Sequence, residues 1–206
     1  MLAASTQPIK LPDAPSDWLN AEKERVAEER KKFQDATSAS PRKLSNELQQ
    51  LAVQSDYYLL RRHAHEIGVL RGYFGQTDSA WAAMIALPGL LLVSGRYDEA
   101  CSVLLAYAGM VDKGFMPSGF TAEGKPIYRS IDAALWFVEA VFLYTQVSED
   151  FEMIERKIYP VLRRIIKYYE TGTYFGVHAD GDGLIQQDDV KAGITWMNAT
   201  VRDVPV

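Results

Sequence analysis

The pattern of apolar side chains changes from one helical segment to the next in the second half of the chain. Residues 79–95 and 130–147 are apolar on nearly every side, whereas 96–114 and 148–172 have one apolar and one charged face. This alternation predicts two buried helices, each followed by a half-exposed partner. Buried helices need a covering layer, so we predict an all-α toroid of helical hairpins in two layers. A solenoid of helix pairs is the alternative, but its repeats are usually shorter and more uniform.

The first part of the chain is more polar. Residues 16–36 predict a surface helix because their apolar stripe is thin, and residues 40–62 predict a second, more amphipathic helix. We therefore divide the chain into a flexible leader (1–15), the helices that lead into the domain (16–62) and a partial α/α barrel (63–206).

The predicted connections alternate in length. Each buried helix turns into its half-exposed partner at a short corner, at Gly95 and at Ser148, whereas the next connections, 112–130 and 172–194, are long. All long loops therefore emerge at one end of the layered structure, which is where function usually lies. Alternation around an Asp-Gly turn predicts a small β-hairpin near 173–187.

Composition narrows the functional classes. The 206 residues carry a net charge of −5 without a concentration of Lys and Arg, which argues against nucleic acid and membrane partners. The longest apolar run, 84–93, is about half of a membrane span, and one cysteine, Cys101, favours a reducing compartment. We expect a cytoplasmic protein. His63 and His65 lie far from His178, so no metal site is indicated.

Six motifs carry a resemblance to a known family, in its order and spacing between residues 56 and 201. They are MIALPGLLLVSGRYDEA, IDAALWFVEAVF, YPVLRRII, GTYFGV, DGLI and TWMNATV. Together they resemble the catalytic domain of glycogen debranching enzymes, the amylo-α-1,6-glucosidase family. The resemblance implies an (α/α)6 barrel that hydrolyses α-1,6-linked glucose in glycogen-like glucans, by acid/base chemistry and without a cofactor.

The position of the proton donor departs from the family pattern. Hydrolysis needs one carboxyl group to protonate the leaving oxygen and a second to activate water. The resemblance puts the donor Asp after Thr-Trp-Met, where this chain has Asn198. An amide does not deliver a proton, so the usual route should fail.

The resemblance also ends near the middle of the barrel and puts the base beyond it. We therefore expect a fragment, a truncated product or half of an assembly. Uncovered helix flanks then predict a homo-oligomer or a partner that supplies the C-terminal half.

Residues that would face the sugar also depart from the pattern. Tyr73 and Asp78 are kept, but residues 79–83 replace the Trp-Gly-Arg-Asp-Thr block of the family. In the next loop, Tyr128 and Asp132 are kept. The scaffold matches better than the sugar-facing positions, so we predict a weakened or inactive glycosidase domain. The alternative is a non-catalytic glucan-binding or protein-interaction helical domain.

Several candidate residues have two interpretations. Asp78 is either a sugar ligand or an N-cap, and Asp132 either a ligand or a favourable charge at a helix start. Trp81 either stacks on a sugar or belongs to the core, while Trp196 suits a sugar platform. Glu139, on an apolar helix, is expected to have a structural partner. The predicted substrate-binding residues are Tyr73, Asp78, Trp81, Tyr128, Asp132 and Trp196.

Overall fold

A computed structural model describes residues 15–38, 46–61, 67–70, 78–189, 193–195, 200–202 and 204–205. The helices are α1 (Pro15–Thr37), α2 (Asn46–Gln54), α3 (Ala80–Leu87), α4 (Tyr97–Gly109), α5 (Asp132–Ser148), α6 (Phe151–Met153) and α7 (Tyr159–Thr171). The strands are β1 (Leu59–Arg61), β2 (Ile67–Val69), β3 (Gly119–Phe120), β4 (Pro126–Ile127), β5 (His178–Ala179), β6 (Ile185–Gln186), β7 (Thr200–Val201) and β8 (Val204–Pro205). The strands form four separate antiparallel pairs, β1 with β2, β3 with β4, β5 with β6 and β7 with β8. The fold is therefore all-α with small strand pairs, as predicted.

The core is built around α3 and α5, which make the most extensive helix–helix contact in the described chain. Small residues on both helices are completely buried, among them Ala83 of α3 and Ala133 of α5. Small side chains at a helix contact allow the two backbones to approach closely. These two helices are the inner pair of the predicted two-layer arrangement.

Helix α4 covers this inner pair with one face. Its fully buried residues Ala100, Val103, Leu104 and Tyr107 recur at steps of three and four. That spacing places them on one side of the helix, while Leu105 on the other side is exposed. The predicted half-exposed helix is confirmed in α4, whereas α3 is not buried on every side, because Ile85 is 40% exposed.

Both hairpins contain a proline that changes the local helical pitch. After α3, residues 88–92 form a π-helical turn in which the Val93 amide donates to the Pro88 carbonyl at 3.0 Å. A second π-helical turn, 154–158, separates α6 from α7 just before Pro160. A proline ring has no N–H and displaces the carbonyl four residues earlier, which favours the wider turn. Pro88 lies inside the apolar run 79–95, where a proline predicts a kink or a local break, and the structure confirms it. The change of pitch before Pro160 was not predicted.

The two corners lie where they were predicted. Gly95 has a φ of 72° between α3 and α4, and Glu149 has a φ of 53° directly after α5. Left-handed backbone of this kind ends helices, and glycine adopts it at the lowest cost. The β-hairpin predicted near 173–187 is also present, with His178 opposite Gln186 and a turn over 180–183.

The predicted helix over 40–62 is partly wrong. Helix α2 ends at Gln54, a 3-10 turn follows over 55–58, and β1 then pairs with β2, with Leu59 opposite Val69. Strand β2 is buried along its whole length, so pairing with it outweighs the helical periodicity of the Leu59 region. Helix α1 confirms the prediction over 16–36, whereas residues 1–14 of the leader lie outside the described residues.

One face of α5 is exposed, although the sequence predicted a helix buried on every side. Leu135, Val138 and Phe142 point away from the core with 44%, 38% and 55% of their surface exposed. The helix contacts α3 and α4 on its opposite side, and the described residues do not cover this face. Alternation of apolar segments therefore identified the inner helices correctly but overstated their burial.

A buried arginine fastens the polar N-terminal helix to the core. The side chain of Arg96 is 1% exposed, and its guanidinium pairs with Glu99, with Asp56 at 2.9 Å and with Glu29 at 3.6 Å. Arg25 of α1 completes the network by contacting Asp56 at 2.7 Å. Burial alone would lower the pKa of Arg96, but the hydrogen bond to Glu99 and the neighbouring carboxylates raise it. The arginine is therefore charged, and it joins α1, the 3-10 turn and the start of α4.

Removing this guanidinium should be costly because it leaves three carboxylates close together. We expect Arg96→Ala to lower the free energy of unfolding by about 3–5 kcal/mol. The matched control is Arg156→Ala, which removes an exposed pair with Glu152 and should cost no more than about 0.5 kcal/mol. Urea denaturation followed by circular dichroism measures both, and equal small losses would contradict a structural role for Arg96.

Candidate functional site at the N-terminal ends of the inner helices

The long loops meet at the end of the fold where α3 and α5 begin. The Ala80 amide donates to the Pro117 carbonyl at 2.9 Å, and the Ile131 amide donates to the Ile194 carbonyl at 2.9 Å. Each inner helix thus begins beside a long loop, as the alternation of connection lengths predicted. The dipoles of α3 and α5 point their positive ends toward this end of the fold.

Contacts between the two long loops hold them in place. The Tyr174 hydroxyl donates to the Asp112 carboxylate at 2.6 Å, and the Thr173 hydroxyl donates to the Lys113 carbonyl. The Lys113 ammonium lies 4.9 Å from the centre of the Tyr174 ring. The hydrogen bond to Asp112 raises the pKa of Tyr174. These contacts join residues far apart in sequence, and they fix the two loops relative to each other.

Asp78 lies inside the protein. It is 2% exposed, and the Tyr107 hydroxyl donates to its carboxylate at 3.3 Å. The N-cap of α3 is Ser79, whose hydroxyl accepts the Ala82 amide at 3.3 Å, so the N-cap interpretation of Asp78 was wrong. The carboxylate of Asp78 is not presented to solvent, and its contact with a sugar stays a prediction.

Trp81 lies half-buried against the core. Its indole nitrogen is buried and has no hydrogen-bond partner among the described residues. The ring lines an apolar groove of about 300 Å³ together with Tyr58, Leu70 and Ile85. This environment favours the core interpretation of Trp81 over a platform that also offers hydrogen bonds to a sugar.

Tyr128 serves the loop in this structure. Its half-buried hydroxyl donates to the Met110 carbonyl at 2.8 Å, and burial raises its pKa. The bond connects the end of α4 to the residues before α5. The polar end of the side chain is therefore engaged, and a sugar-binding role for Tyr128 stays a prediction.

Asp132 lies at an open groove on α5. The groove, of about 460 Å³, is lined by Asp132, Leu135, Trp136 and Glu139. Trp136 is 40% exposed, and Asp132 and Glu139 are the carboxylates on either side of it along the helix. Of the predicted sugar-binding residues that the structure describes, Asp132 is the one at an accessible groove that joins an apolar surface of Leu135 and Trp136 to the two carboxylates.

Tyr169 of α7 is hydrogen-bonded to the residue directly before α5. Its hydroxyl donates to the Ile131 carbonyl at 3.2 Å, and the side chain is 6% exposed. Burial raises the pKa of Tyr169, and the negative charge of Asp132 adds to this effect. The neutral phenol thus anchors the helix start without competing for a proton near neutral pH.

Glu139 and Trp136 belong to the groove, although neither was among the residues predicted to bind a ligand. Glu139 is exposed, and the structural partner expected for it is not present among the described residues. Positions 132, 136 and 139 are four and three residues apart, the spacing of one helix face. That spacing was available in the sequence, but the surrounding apolar run was interpreted as a fully buried helix.

Three predicted site residues, Tyr73, Trp196 and Asn198, lie outside the described residues. Thr195 is described, and it follows Ile194, the residue that is bonded to the start of α5. Within the described part of the chain, no group of three or more His, Cys, Asp or Glu side chains is arranged to hold a metal.

Helical hairpins around an inner pair, with long loops gathered at one end, define a helical-toroid domain whose functional end holds carboxylates and an exposed aromatic ring. The family model described as amylo-alpha-1,6-glucosidase matches residues 53–206, and the chain belongs to this family of α/α toroids. It is similar to the glycogen debranching enzyme of Saccharomyces cerevisiae, with 40% identity over 70 residues. That match covers 34% of this chain and 5% of the yeast enzyme. No solved structure matches the chain significantly. None of the described helices is long and apolar enough to cross a membrane.

The buried position of Asp78 can be tested at Gly68. A Cβ added to Gly68 would lie 2.7 Å from an Asp78 carboxylate oxygen, which is fixed by its bond to Tyr107. We expect Gly68→Ala to lower the free energy of unfolding by about 1–3 kcal/mol. Gly89→Ala is the control, because that position is exposed in a helical turn with no atom from outside that turn within 4 Å of the new Cβ, and the helix preference of alanine over glycine should raise stability by about 0.5–1 kcal/mol. The urea concentrations at the midpoints of unfolding compare the two variants. If Gly68→Ala were as stable as the unmodified protein, the Asp78 carboxylate would not lie against Gly68 and would instead face the end of the fold where α3 and α5 begin.

Proposed function

We propose that this chain is a debranching-type domain that binds α-glucan but has lost efficient hydrolysis. The observation that carries the proposal is the amide of Asn198 at the position where the family pattern has its proton-donating Asp. An amide can hydrogen-bond a glycosidic oxygen, but it cannot transfer a proton to it. The domain would therefore bind a branch point and leave it intact.

Two features support retained binding. Membership of the amylo-α-1,6-glucosidase family gives the chain a scaffold whose relatives include a glycogen debranching enzyme. Asp132 is kept from the family pattern and lines the accessible groove at the start of α5. We propose this role for a cytoplasmic protein, the location that its single cysteine favours.

Glucose release tests the loss of hydrolysis. We expect no glucose from a branched limit dextrin incubated with the protein, even at high protein concentration and long incubation. Asn198→Asp alone should not restore release, since residues 79–83 also lack the Arg and Asp of the family pattern. Turnover by the unmodified protein that Asn198→Ala abolishes would contradict the proposal, and so would turnover by the Asn198→Asp variant.

Calorimetric titration with maltotriose, in the same buffer, separates glucan binding from the second candidate. Heat of binding at millimolar maltotriose supports a glucan-binding domain. The second candidate, a protein-interaction helical domain, is favoured by the exposed apolar residues Leu135, Val138 and Phe142. An absence of binding heat at the highest millimolar concentration of maltotriose would support that candidate and overturn the glucan-binding part of the proposal.

A further inference from the structure

We infer that the face of α5 carrying Asp132, Trp136 and Glu139 is a glucosyl-binding subsite, with Trp136 as its platform and Glu139 as a hydrogen-bond acceptor. The inference rests on the proposed function and deepens it. It assigns a sugar-binding role to Trp136 and Glu139, which lie inside the motif IDAALWFVEAVF and were not among the predicted substrate-binding residues. It also places the subsite on a regular helix rather than on a loop.

Helix geometry brings the three side chains together. Successive residues rise about 1.5 Å and rotate about 100°, so Asp132 and Glu139 lie on the same side about 10 Å apart along the axis. Trp136 lies between them on that side, and all three line one groove. The chain enters this helix through Ile131, which is bonded to Ile194. The N-terminal end of the groove therefore lies near the bond that joins the 172–194 connection to the start of α5.

The key groups are accessible and available. Trp136 is 40% exposed, and Glu139 is exposed on the same face. Within the described residues, neither side chain makes a hydrogen bond or an ion pair. Asp132 lies close enough to Tyr169 for its negative charge to raise the pKa of that phenol. The indole of Trp136 and the carboxylate of Glu139 can contact a ligand.

This combination of groups suits a pyranose ring better than other ligands. A glucosyl unit has an apolar surface of C–H groups and a rim of hydroxyl donors. An indole packs against the apolar C–H surface of the sugar, and ionised carboxylates accept strong hydrogen bonds from its hydroxyl groups. A groove with two carboxylates and no basic residue among its lining residues is unsuited to anionic ligands. The neutral, hydroxyl-rich α-glucan is the ligand class that satisfies all three groups.

A helix from another protein is less suited to this part of α5. Packing an apolar helix over Asp132 and Glu139 would bury two carboxylates without cationic partners, which is costly. Around the helix axis, Phe142 is rotated by about 60° from Glu139 and about 120° from Trp136, and Val138 by about 100° and about 160°. The exposed side of α5 therefore has the carboxylates, Trp136 and Leu135 near its N-terminal end, and Val138 and Phe142 are rotated away from Trp136.

Titration of maltotriose by isothermal calorimetry tests the subsite. We expect Trp136→Ala to weaken binding about tenfold or more, and Glu139→Ala to weaken it about fivefold, as expected for loss of a platform and of a hydrogen bond to a charged group. Phe142→Ala is the matched control, since it removes an exposed aromatic ring from the same helix outside the groove, and it should bind like the unmodified protein. All three positions are exposed, and circular dichroism confirms that each variant is folded.

The outcomes separate the subsite from the proposed function. Binding by the unmodified protein that Trp136→Ala leaves unchanged overturns the subsite and leaves glucan binding by the domain in place. Equal weakening by Phe142→Ala also overturns it, because the apolar part of α5 would then contact the sugar. No binding by the unmodified protein overturns both. Loss of affinity confined to Trp136→Ala and Glu139→Ala supports both.

Discussion

Close packing of α3 against α5 is the contact on which the rest of the domain depends. The contact uses alanines with no exposed surface, including Ala80, Ala83 and Ala134, so that two helix backbones lie near one another. Once these helices lie side by side, α4 must cover them with its apolar face and the long connections must return to the same end. The position of the long loops at the end where α3 and α5 begin is thus a consequence of how the inner helices pack. Its loops are then fixed by specific bonds such as Tyr174 to Asp112.

Arg96 extends this organisation to the N-terminal helix. The family match begins at residue 53, whereas Glu29 and Arg25 belong to α1, outside the matched region. The buried guanidinium binds carboxylates from both parts, Glu29 from α1 and Glu99 from α4. A charged group removed from water must be compensated by such partners, so this corner ties α1 to the family domain. The groove of α5 is formed by different residues and does not depend on this charge network.

Periodicity and helix-breaking residues predicted the helical part of the fold, because they act locally. The apolar run of α5, the break at Pro88 and the left-handed corner at Gly95 all follow from neighbouring residues. The pairing of Leu59 with Val69 was missed because it depends on a buried strand further along the chain. For the site, a motif identified Asp132, but burial decided the position of Asp78. No local pattern distinguishes an aspartate that faces solvent from one that is buried and accepts a hydrogen bond from Tyr107, as Asp78 does.

The central claim is that the domain holds an α-glucan at Trp136 without cleaving it. One NMR titration with a branched oligosaccharide containing an α-1,6 linkage tests both parts, since it follows the indole N–H signals and the anomeric proton of that linkage. The account predicts that the Trp136 signal, assigned with a Trp136→Phe variant, shifts while those of Trp18 and Trp81 stay in place. It also predicts that the α-1,6 anomeric signal persists. A stationary Trp136 signal at saturating sugar, or decay of the anomeric signal with release of glucose, would contradict the account.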